Sequence, residues 1–565
     1  MKKFLFKKSA ILAGAVVLGL SFSSFKGDNK NFQAAKNLDI FNTVFKELDM
    51  FYVDTIKPEK SIKIGIDAML DALDPYTEYY PEEEMGDLNL MIKGSYGGIG
   101  SVISYYKGRV VIDEPYEGMP AAKAGLKPGD VLLEIDGKDL KGKSVAQVSE
   151  QLKGQIGTSF ILKVERQGAK KPLEFKLTRE SIQIPAVPYY SVEANNTGYI
   201  QLSSFTGKPS KEFKDAFLAL KKKGITSLII DLRNNGGGLL DEAVDIANNF
   251  LPKGQEIVAT RGKIKQSERI YKTSHDPIDP NIPIVILVNN GSASASEILA
   301  GSFQDLDRAV IMGTRTFGKG LVQTTRSLPY GGSLKLTTAK YYIPSGRCVQ
   351  ALDYKHRNED GSVGRVPDSL TTVFHTAAGR EVRDGGGVAP DVEVKAEKMP
   401  NILYYLTIDK LIFEFANSYC QKHATIPAVK DFALTDEDYN DFKALVKKSD
   451  FKYDQQSDKV LKNLKEIAEF EGYMDSASDE FKALEKKLSH NLDRDLDHFS
   501  KDIKSLVSIE IVKRYHYQKG ASAQQLKNDD ELVKAIELLK NHDKYKSILT
   551  TVKSDSAKAA TAQAK

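Results

Sequence analysis

The 565-residue sequence contains no tryptophan, only two cysteines and only eight histidines. Two cysteines are too few for a disulfide framework, so packing must hold the fold together. Cys348 and Cys420 could pair in an oxidising compartment, but they lie in segments that we assign to different domains, and we expect free thiols. The histidines show no HExxH motif and no other metal-ligand spacing, which disfavours a zinc metalloprotease.

The sequence also lacks a large excess of charge of either sign. Its 80 lysine and arginine residues nearly balance 76 aspartate and glutamate residues, which leaves a net charge of +4. Proteins that bind nucleic acid usually carry a concentrated positive charge, so nucleic acid is not an expected partner. Hydrophobic residues make up 41% and charged residues 28% of the chain, as in folded globular proteins. The length predicts three or four domains at about 150 residues each.

Long hydrophobic runs are scarce, and the one that stands out lies at the N-terminus. Four lysines precede an apolar run from Ala10 to Leu20, and small residues follow at Ser21 and Ser23. This order is typical of an export signal, so we expect an exported, periplasmic protein. The predicted signal at 1–25 is either cleaved, which we favour, or retained as an N-terminal membrane anchor.

Hydrophobic periodicity and turn residues divide the remaining chain into segments. Apolar residues recur at helical spacing between 32 and 54 and between 61 and 73, which predicts a helical N-terminal region at 32–87. Short strands separated by glycine and proline turns indicate a small β-rich domain at 88–178, and strands alternate with helices at 183–396. A helical, lysine-rich domain is predicted at 398–550, and a disordered tail at 551–565.

One segment of the α/β domain, residues 283–305, presents serines at a strand-to-helix turn. The buried strand PIVILV ends near Asn289, and a helix opens within SASASE. A serine at such a turn is exposed at the end of a sheet, and the helix N-terminus favours developing negative charge nearby. Ser292, Ser294 and Ser296 are all candidate nucleophiles on this ground. A serine cluster that only caps the helix explains this segment equally well.

A lysine between two glycines follows the next strand of the α/β domain. In GTRTFGKGLVQ, Gly318 and Gly320 permit tight turns that could carry the Lys319 ammonium into the interior. Burial there would favour a neutral lysine, which can accept a serine proton. Lowering the pKa from about 10.4 to near 7 requires roughly 4 to 5 kcal/mol of differential solvation. A surface turn or an anion contact is the simpler interpretation of this motif taken alone.

A third segment, SLIIDLRNNGGGLLDEA at 227–243, places two asparagines and three glycines between a strand and a helix. The free amides of Gly236 to Gly238 could form an oxyanion hole or cradle a phosphate. The GxxxxGK[ST] spacing of a phosphate loop is absent. For Asp231 and Arg233 we predict a structural ion pair.

Taken together with GSYGGIG at 94–100 and AGLKPGD at 124–130, these segments resemble the carboxyl-terminal processing peptidases, or tail-specific proteases. In that family the middle serine of SASASE is the nucleophile and the lysine 25 positions downstream is the general base, which here implies Ser294 and Lys319. The other implied positions are Gln323, which orients the base, Asp305, a structural support, and the backbone amides of Ala295, Gly237 and Gly238 as oxyanion donors.

The resemblance covers about residues 61–394 and implies a multidomain α/β plus β fold. Its parts are a ClpP/crotonase-like serine peptidase core at 183–396 and a PDZ domain at 88–178, with helical regions on either side. PDZ domains bind an extended peptide along a strand edge and hold its carboxylate with loop amides. The matching loop consists of Gly97, Gly98, Ile99 and Gly100. Such a domain selects protein tails, gates the active site, or is a purely structural module.

Two departures from the family pattern could change substrate specificity, but neither affects the predicted Ser294–Lys319 dyad. Cys348 stands where the family commonly has serine, and residues 354–383 separate PSGRCVQ from the GGGVAPDVEV stretch that usually follows almost directly. The implied enzyme is a serine endopeptidase that needs no cofactor or metal and cleaves proteins with unstructured C-termini. An adaptor or activator protein and a homo-oligomer are further expected partners.

Two alternatives remain for the function. A serine-histidine-aspartate enzyme would need one of the three histidines of the core, His275, His356 or His375, and none lies in a catalytic motif. The other alternative is a scaffold that binds protein tails without cleaving them. The intact Ser294 and Lys319 argue against it.

Overall fold

The computed structural model describes residues 29–85, 94–358, 360–395, 399–454, 456–488 and 491–550. The predicted export signal at 1–25 and the predicted disordered tail at 551–565 lie outside these residues. Within them, no helix combines the length and the hydrophobicity that crossing a bilayer requires.

The N-terminal region consists of two helices and a short strand. They are α1 (Asn29–Phe51), α2 (Pro58–Asp71) and β1 (Glu78–Tyr80). The ring of Phe41 packs against α2 at Gly65, where an added Cβ would lie 3.6 Å from it. Pro58 at the first turn of α2 needs no hydrogen-bond acceptor there, which suits it to a helix start. β1 joins a sheet of the α/β domain, so this region is tied to that domain.

The second part is a small β-domain with two short helices. Its elements are β2 (Ser95–Gly98), β3 (Ser101–Tyr106), β4 (Arg109–Pro115), α3 (Pro120–Lys123), β5 (Val131–Ile135), β6 (Lys138–Asp139), α4 (Val145–Leu152), β7 (Ser159–Glu165), β8 (Leu173–Thr178) and β9 (Glu180–Gln183). The main sheet has the order β3-β4-β5-β7-β8, with β6 on β5, while β2 pairs with β9. β3 is therefore an edge strand, and α4 contacts it.

The third part is the α/β domain. Its elements are β10 (Tyr189–Glu193), β11 (Thr197–Gln201), α5 (Pro209–Lys222), β12 (Ser227–Asp231), α6 (Leu240–Ala247), β13 (Glu256–Gly262), β14 (Arg269–Lys272), β15 (Ile284–Val288), α7 (Ala295–Asp305), β16 (Val310–Gly313), β17 (Leu321–Ser327), β18 (Ser333–Tyr342), β19 (Leu352–Arg357), β20 (Val363–Arg365), β21 (Val373–His375), β22 (Glu381–Arg383) and β23 (Val392–Glu393). The main sheet has the order β10-β11-β12-β15-β16-β23, and only the β10–β11 pair is antiparallel. Because parallel strands need crossover helices, α5, α6 and α7 lie between successive strands.

A second, antiparallel sheet brings the N-terminal region to the α/β domain. Its order is β1-β18-β13-β14, and β17 pairs with β18. The stretch that the sequence marks as an insertion, residues 354–383, belongs to two small hairpins, β19–β20 and β21–β22.

The C-terminal part is helical, as the sequence indicates. It contains α8 (Asn401–Ile408), α9 (Leu411–Lys422), α10 (Asp436–Lys448), α11 (Gln456–Phe470), α12 (Met474–Leu488), α13 (Leu492–His498), α14 (Ser500–Leu526), α15 (Asp530–Lys540) and α16 (His542–Leu549). Leu406, Phe415, Phe442 and Ile511 belong to its own hydrophobic core. After the bend of α14 at Tyr517, where φ is 52° and ψ is −155°, the Gln518 amide donates to the Glu114 carboxylate of the β-domain at 2.6 and 2.7 Å.

Helices cover both faces of the six-stranded sheet because its buried strands are apolar on both sides. On one face Leu228 and Ile230 pack with residues of α5, α6 and α7. On the other face Ile229 and Leu287 pack with Leu538 and Leu539 of α15. The C-terminal helices thus complete the core of the α/β domain.

Candidate active site

The three candidate serines at the end of β15 have different environments. Ser292 and Ser296 are fully buried. The Ser292 hydroxyl donates to the Leu232 carbonyl at 2.7 Å, and the Ser296 hydroxyl donates to the Asn235 carbonyl at 2.8 Å. Ser294 is partly exposed. Two of the serines therefore serve to join this turn to the neighbouring one, and Ser294 alone of the three faces solvent.

Ser294 has a strained backbone at the junction between strand and helix. Its φ is 57° and its ψ is −115°, a left-handed conformation that side chains with a Cβ rarely adopt. Such strain persists only where the surroundings enforce it, and it occurs preferentially at functional sites. The geometry lifts the side chain out of the turn at the N-terminus of α7.

The glycine turn after β12 lies directly against Ser294. A Cβ added to Gly237 would lie 2.8 Å from Ser294 Cβ and 2.9 Å from the Ala295 nitrogen, so only glycine fits there. The Gly237 N–H donates to the Asn235 side chain at 2.9 Å. In the described part of the chain, the N–H groups of Ala295 and Gly238 have no acceptor. Of the three predicted oxyanion donors, these two are open.

A buried carboxylate connects the serine turn to the lysine turn. Glu297 Oε2 accepts from the backbone N–H groups of Ser294 and Lys319 at 2.9 and 2.8 Å. Its Oε1 accepts from the Gly318 N–H at 2.8 Å and the Thr316 hydroxyl at 2.6 Å. Burial raises the pKa of Glu297 to about 7, although all four donors favour the ionised form. The sequence alone explains this glutamate only as part of a capping pattern.

A buried tyrosine provides a second connection between the same two turns. The Tyr341 hydroxyl lies 3.2 Å from the Ser294 carbonyl oxygen and also donates to the Lys319 carbonyl. Tyr341 is 1% exposed and lies on β18. No motif in the sequence indicates this contact, because it depends on how β18 crosses the end of the main sheet.

The Lys319 side chain is half-buried under the N-terminal region. Burial is the main cause that lowers the pKa of Lys319 below its ordinary value, and the nearby Lys335 ammonium adds to the effect. The Lys319 Nζ lies 4.1 Å from the centre of the Tyr76 ring. The Tyr354 hydroxyl, from hairpin β19–β20, donates to the Tyr76 hydroxyl at 3.3 Å. The segment before β1 and the insertion therefore cover the lysine together.

The side chain of Gln323, which is predicted to orient the base, bonds to the neighbouring strand β18. Gln323 Nε2 donates to the Thr337 hydroxyl at 3.1 Å, and that hydroxyl donates to the Asp74 carboxylate at 3.2 Å. Asp74 is 7% exposed and also accepts from the Thr77 N–H at 2.9 Å. This polar chain joins β17, β18 and the N-terminal region beside Lys319.

Asp305 lies at the C-terminal end of α7, away from Ser294. Its carboxylate forms an ion pair with Arg347 at 2.8 Å, and the two side chains are 0% and 1% exposed. The Ser345 N–H donates to the same carboxylate at 3.0 Å. This environment agrees with a structural support for the segment 343–347.

The ion pair predicted between Asp231 and Arg233 is confirmed, with a shortest distance of 2.6 Å. Both cysteines are free thiols. Of the core histidines, the His275 ring contacts the backbone carbonyl of Asp276, and the exposed His356 pairs with Asp353.

Of the predicted carboxylate-binding loop, Gly97 and Gly98 form the end of β2 and pair with β9, while Ile99 and Gly100 lead into the edge strand β3. The carbonyls of Ile99 and Gly100 accept from the N–H groups of Ala121 and Tyr116 at 2.8 and 2.9 Å. In the described residues, the N–H groups of Ile99 and Gly100 have no acceptor. Gly97 accepts from Gly154 at the end of α4, so the loop closes one end of the space between β3 and α4.

Comparison with known proteins assigns families to three of these parts. Residues 196–355 match the model of peptidase family S41, residues 111–166 match a PDZ domain, and residues 402–539 match the C-terminal helical domain of probable PDZ-proteases. A carboxy-terminal-processing protease of Bartonella bacilliformis is 36% identical over 356 residues, which are 62% of this chain and 81% of the relative. The chain belongs to the carboxy-terminal-processing proteases.

Other relatives agree with this family. A probable CtpA-like serine protease of Staphylococcus aureus is 37% identical over 61% of this chain and 69% of its own length. The solved structure of a photosystem II D1 C-terminal processing protease is 30% identical, with a TM-score of 0.35 over 63% of this chain and 88% of its own. The family matches and the curated relatives make the chain a serine-type peptidase with an S41 core, a PDZ domain and a helical C-terminal domain, and such a protease implies protein substrates.

Proposed function

We propose that the protease hydrolyses peptide bonds near protein C-termini with Ser294 as nucleophile and Lys319 as general base. The observation that supports this most directly is the difference among the three serines: only Ser294 is strained and partly exposed, while the hydroxyls of the other two are buried and bonded. Lys319 supports it further, because burial lowers the pKa of its ammonium toward the range where a neutral amine is available.

The proposed acylation step requires one proton transfer in each direction. Neutral Lys319 accepts the Ser294 hydroxyl proton while Oγ bonds to the substrate carbonyl carbon. The N–H groups of Ala295 and Gly238 stabilise the oxyanion that forms. The lysine ammonium then donates its proton to the leaving amine as the carbon–nitrogen bond breaks, which leaves an acyl-enzyme.

Deacylation reverses these roles with water as the nucleophile. Lys319 accepts a proton from water, the water oxygen bonds to the acyl carbon, and the carbon–Oγ bond breaks as Ser294 regains a proton. No cofactor takes part in these steps. Gln323 is the proposed orienting residue for Lys319, and its bond to Thr337 gives it a fixed position on the adjacent strand.

We also propose that the PDZ domain binds the unstructured tail of the substrate or gates access to Ser294. The open edge of β3 and the unpaired N–H groups of Ile99 and Gly100 support peptide binding by strand addition. A periplasmic location, a signal that is cleaved rather than retained as an anchor, an adaptor protein and a homo-oligomer are proposals that derive from the sequence and the family.

The dyad is tested with Ser294→Ala and Lys319→Ala on an unfolded protein with an apolar C-terminus. We expect both variants to bind the substrate and to cleave it at background rates, with Ser327→Ala, which removes an exposed hydroxyl at the end of β17, as a control that keeps wild-type cleavage. Undiminished cleavage by Ser294→Ala would refute the assignment. Binding without cleavage by the wild type would instead favour a tail-binding scaffold, and cell fractionation would test the location.

A further inference from the structure

The side chain of Arg233, which begins the glycine turn, extends into the helical C-terminal domain. Its Nη2 donates to Asp529 Oδ2 at 2.6 Å, and its Nη1 donates to Asp529 Oδ1 at 3.1 Å and to Glu531 Oε2 at 2.7 Å. Nε and Nη2 also donate to Asp231. All three guanidinium nitrogens are therefore engaged, and two of the three carboxylates that bind them lie outside the peptidase core.

This four-residue cluster is shielded from solvent and carries more negative than positive charge. The side chains of Arg233, Asp231, Asp529 and Glu531 are 17%, 6%, 9% and 16% exposed. Burial raises the pKa of Glu531, because the desolvation of its carboxylate outweighs the attraction of Arg233. The Tyr199 hydroxyl donates to Asp231 at 2.7 Å and fixes the other side of the cluster. Bidentate contacts of this kind hold a guanidinium in one orientation.

The backbone that follows Arg233 controls the geometry around Ser294. The Asn234 N–H donates to the Asn289 side chain at 2.9 Å, and the Asn235 carbonyl accepts from the Ala293 N–H at 3.0 Å. Gly237 then packs against Ser294. A displacement at residue 233 would therefore change the position of the oxyanion donors.

We propose that Asp529 and Glu531 are positioning residues for the peptidase reaction. By holding Arg233, they fix the turn at 232–238 in the shape that leaves the Gly238 N–H open beside Ser294. The helical C-terminal domain thus takes part in forming the oxyanion site, although neither carboxylate touches the substrate. This inference rests on the proposed function of Ser294.

The cluster is separable from the packing of α15 onto the core. Leu532, Ala535 and Leu538 of α15 are buried in a hydrophobic core with the sheet, and that core includes none of the four cluster residues. Asp529 also caps α15, since its Oδ1 accepts from the Leu532 N–H at 2.9 Å. Asparagine is an equally good cap, so Asp529→Asn removes a charge and keeps the helix start.

The test compares Asp529→Asn and Glu531→Gln with Asp530→Asn in the full chain. Asp530 lies between them in the same helical turn, is exposed, and makes no hydrogen bond or ion pair in the described structure, so it matches the charge change. The measurements are kcat and KM on an unfolded protein, the rate of Ser294 labelling by a fluorophosphonate, and the melting temperature.

We expect Asp529→Asn, and the double variant that adds Glu531→Gln, to lower kcat and the labelling rate about tenfold. The complete loss of one oxyanion donor lowers kcat about 10²- to 10³-fold, and a displaced donor should cost only part of that. KM and the melting temperature should change little, and Asp530→Asn should match the wild type. A purely structural role predicts a lower melting temperature with an unchanged rate per folded molecule, and that result would overturn the proposal.

The outcome also separates this inference from the proposed dyad. If Ser294→Ala is inactive while the double variant keeps wild-type kcat and labelling, the inference is wrong and the dyad stands. If Ser294→Ala cleaves normally, the proposed dyad is wrong, and the proposed positioning role of Asp529 is then wrong as well.

Discussion

Replacing Glu297 with glutamine distinguishes its effect on the two turns that contain the proposed dyad from its effect on the stability of the fold. The carboxylate accepts four hydrogen bonds, two at each oxygen. Glutamine has one oxygen, so its NH₂ must face one pair of donors. The favoured orientation keeps the bonds from Ser294 and Lys319 and turns the NH₂ toward Thr316, whose hydroxyl can rotate. The Gly318 N–H is then left without an acceptor.

Two effects of opposite sign determine the free energy of unfolding. A buried N–H without an acceptor costs about 1–3 kcal/mol. Against this, the variant no longer buries a charge: burial raises the pKa of Glu297 from 4.5 to about 7, which disfavours the ionised form by roughly 3 kcal/mol. The two nearly cancel, so the melting temperature at pH 8 should change little. Because Gly318 adjoins Lys319, we expect the 1–3 kcal/mol to appear in kcat as a loss of about 5- to 150-fold.

The pH dependence of stability provides an independent check on the same residue. Because the folded-state pKa of Glu297 is raised, the folded protein binds a proton that the unfolded chain releases between pH 4.5 and about 7. The stability that this group contributes is therefore complete below pH 4.5 and is lost as pH rises through 7, by roughly 3 kcal/mol. Glu297→Gln should lack this slope in urea unfolding measured from pH 4.5 to 8.

The matched control is Glu242→Gln on α6, where one carboxylate oxygen accepts from the Ser210 N–H at 2.9 Å and no catalytic turn is involved. We expect it to keep the wild-type kcat. Wild-type kcat for Glu297→Gln would refute the reasoning, and so would a loss of activity that the melting temperature fully explains.

Three further substitutions test other parts of the site. Gly237→Ala should lower kcat about 100-fold or more, as for a lost oxyanion donor, because its Cβ would lie 2.8 Å from the Cβ of the proposed nucleophile; steady-state kinetics with a melting curve checks this. Tyr76→Leu keeps an apolar side chain over Lys319 but removes the ring that favours its ammonium, so the pKa of Lys319 should fall further and the acid limb of the pH–rate profile should move to lower pH. Asp305→Asn should destabilise the fold by about 3–5 kcal/mol in urea, because the Arg347 charge stays buried without its partner.

The sequence predicted the elements whose signals are local. The buried strand before SASASE and the helix that opens within it follow from a run of apolar residues and from turn residues, and they are β15 and α7 in the structure. The ion pair of Asp231 with Arg233 was predicted from a spacing of two residues. Ser294 was chosen by the family pattern, since local geometry left three serines open.

The connections between segments could not be predicted from local patterns. Tyr341 reaches the Ser294 carbonyl across 47 positions, and Tyr76 reaches Lys319 from the N-terminal region. Each contact depends on how distant segments meet in space, which the local sequence around either tyrosine does not specify. The role of Glu297 was missed for a different reason. A glutamate at the third position of a helix is a common capping residue, so the sequence does not indicate that it also bonds to the turn at Gly318 and Lys319.

The positions of α15 and α16 in the sequence determine when, during synthesis, the core of the α/β domain can be completed. The face of the main sheet that contains Ile229 and Leu287 is covered by residues 530–549. Synthesis proceeds from the N-terminus, so Ser294 and Lys319 are made more than 200 residues before the two helices that cover this face. Throughout that interval the sheet has one bare apolar face. The core of the α/β domain is thus expected to be complete only after residues 530–549 have been made.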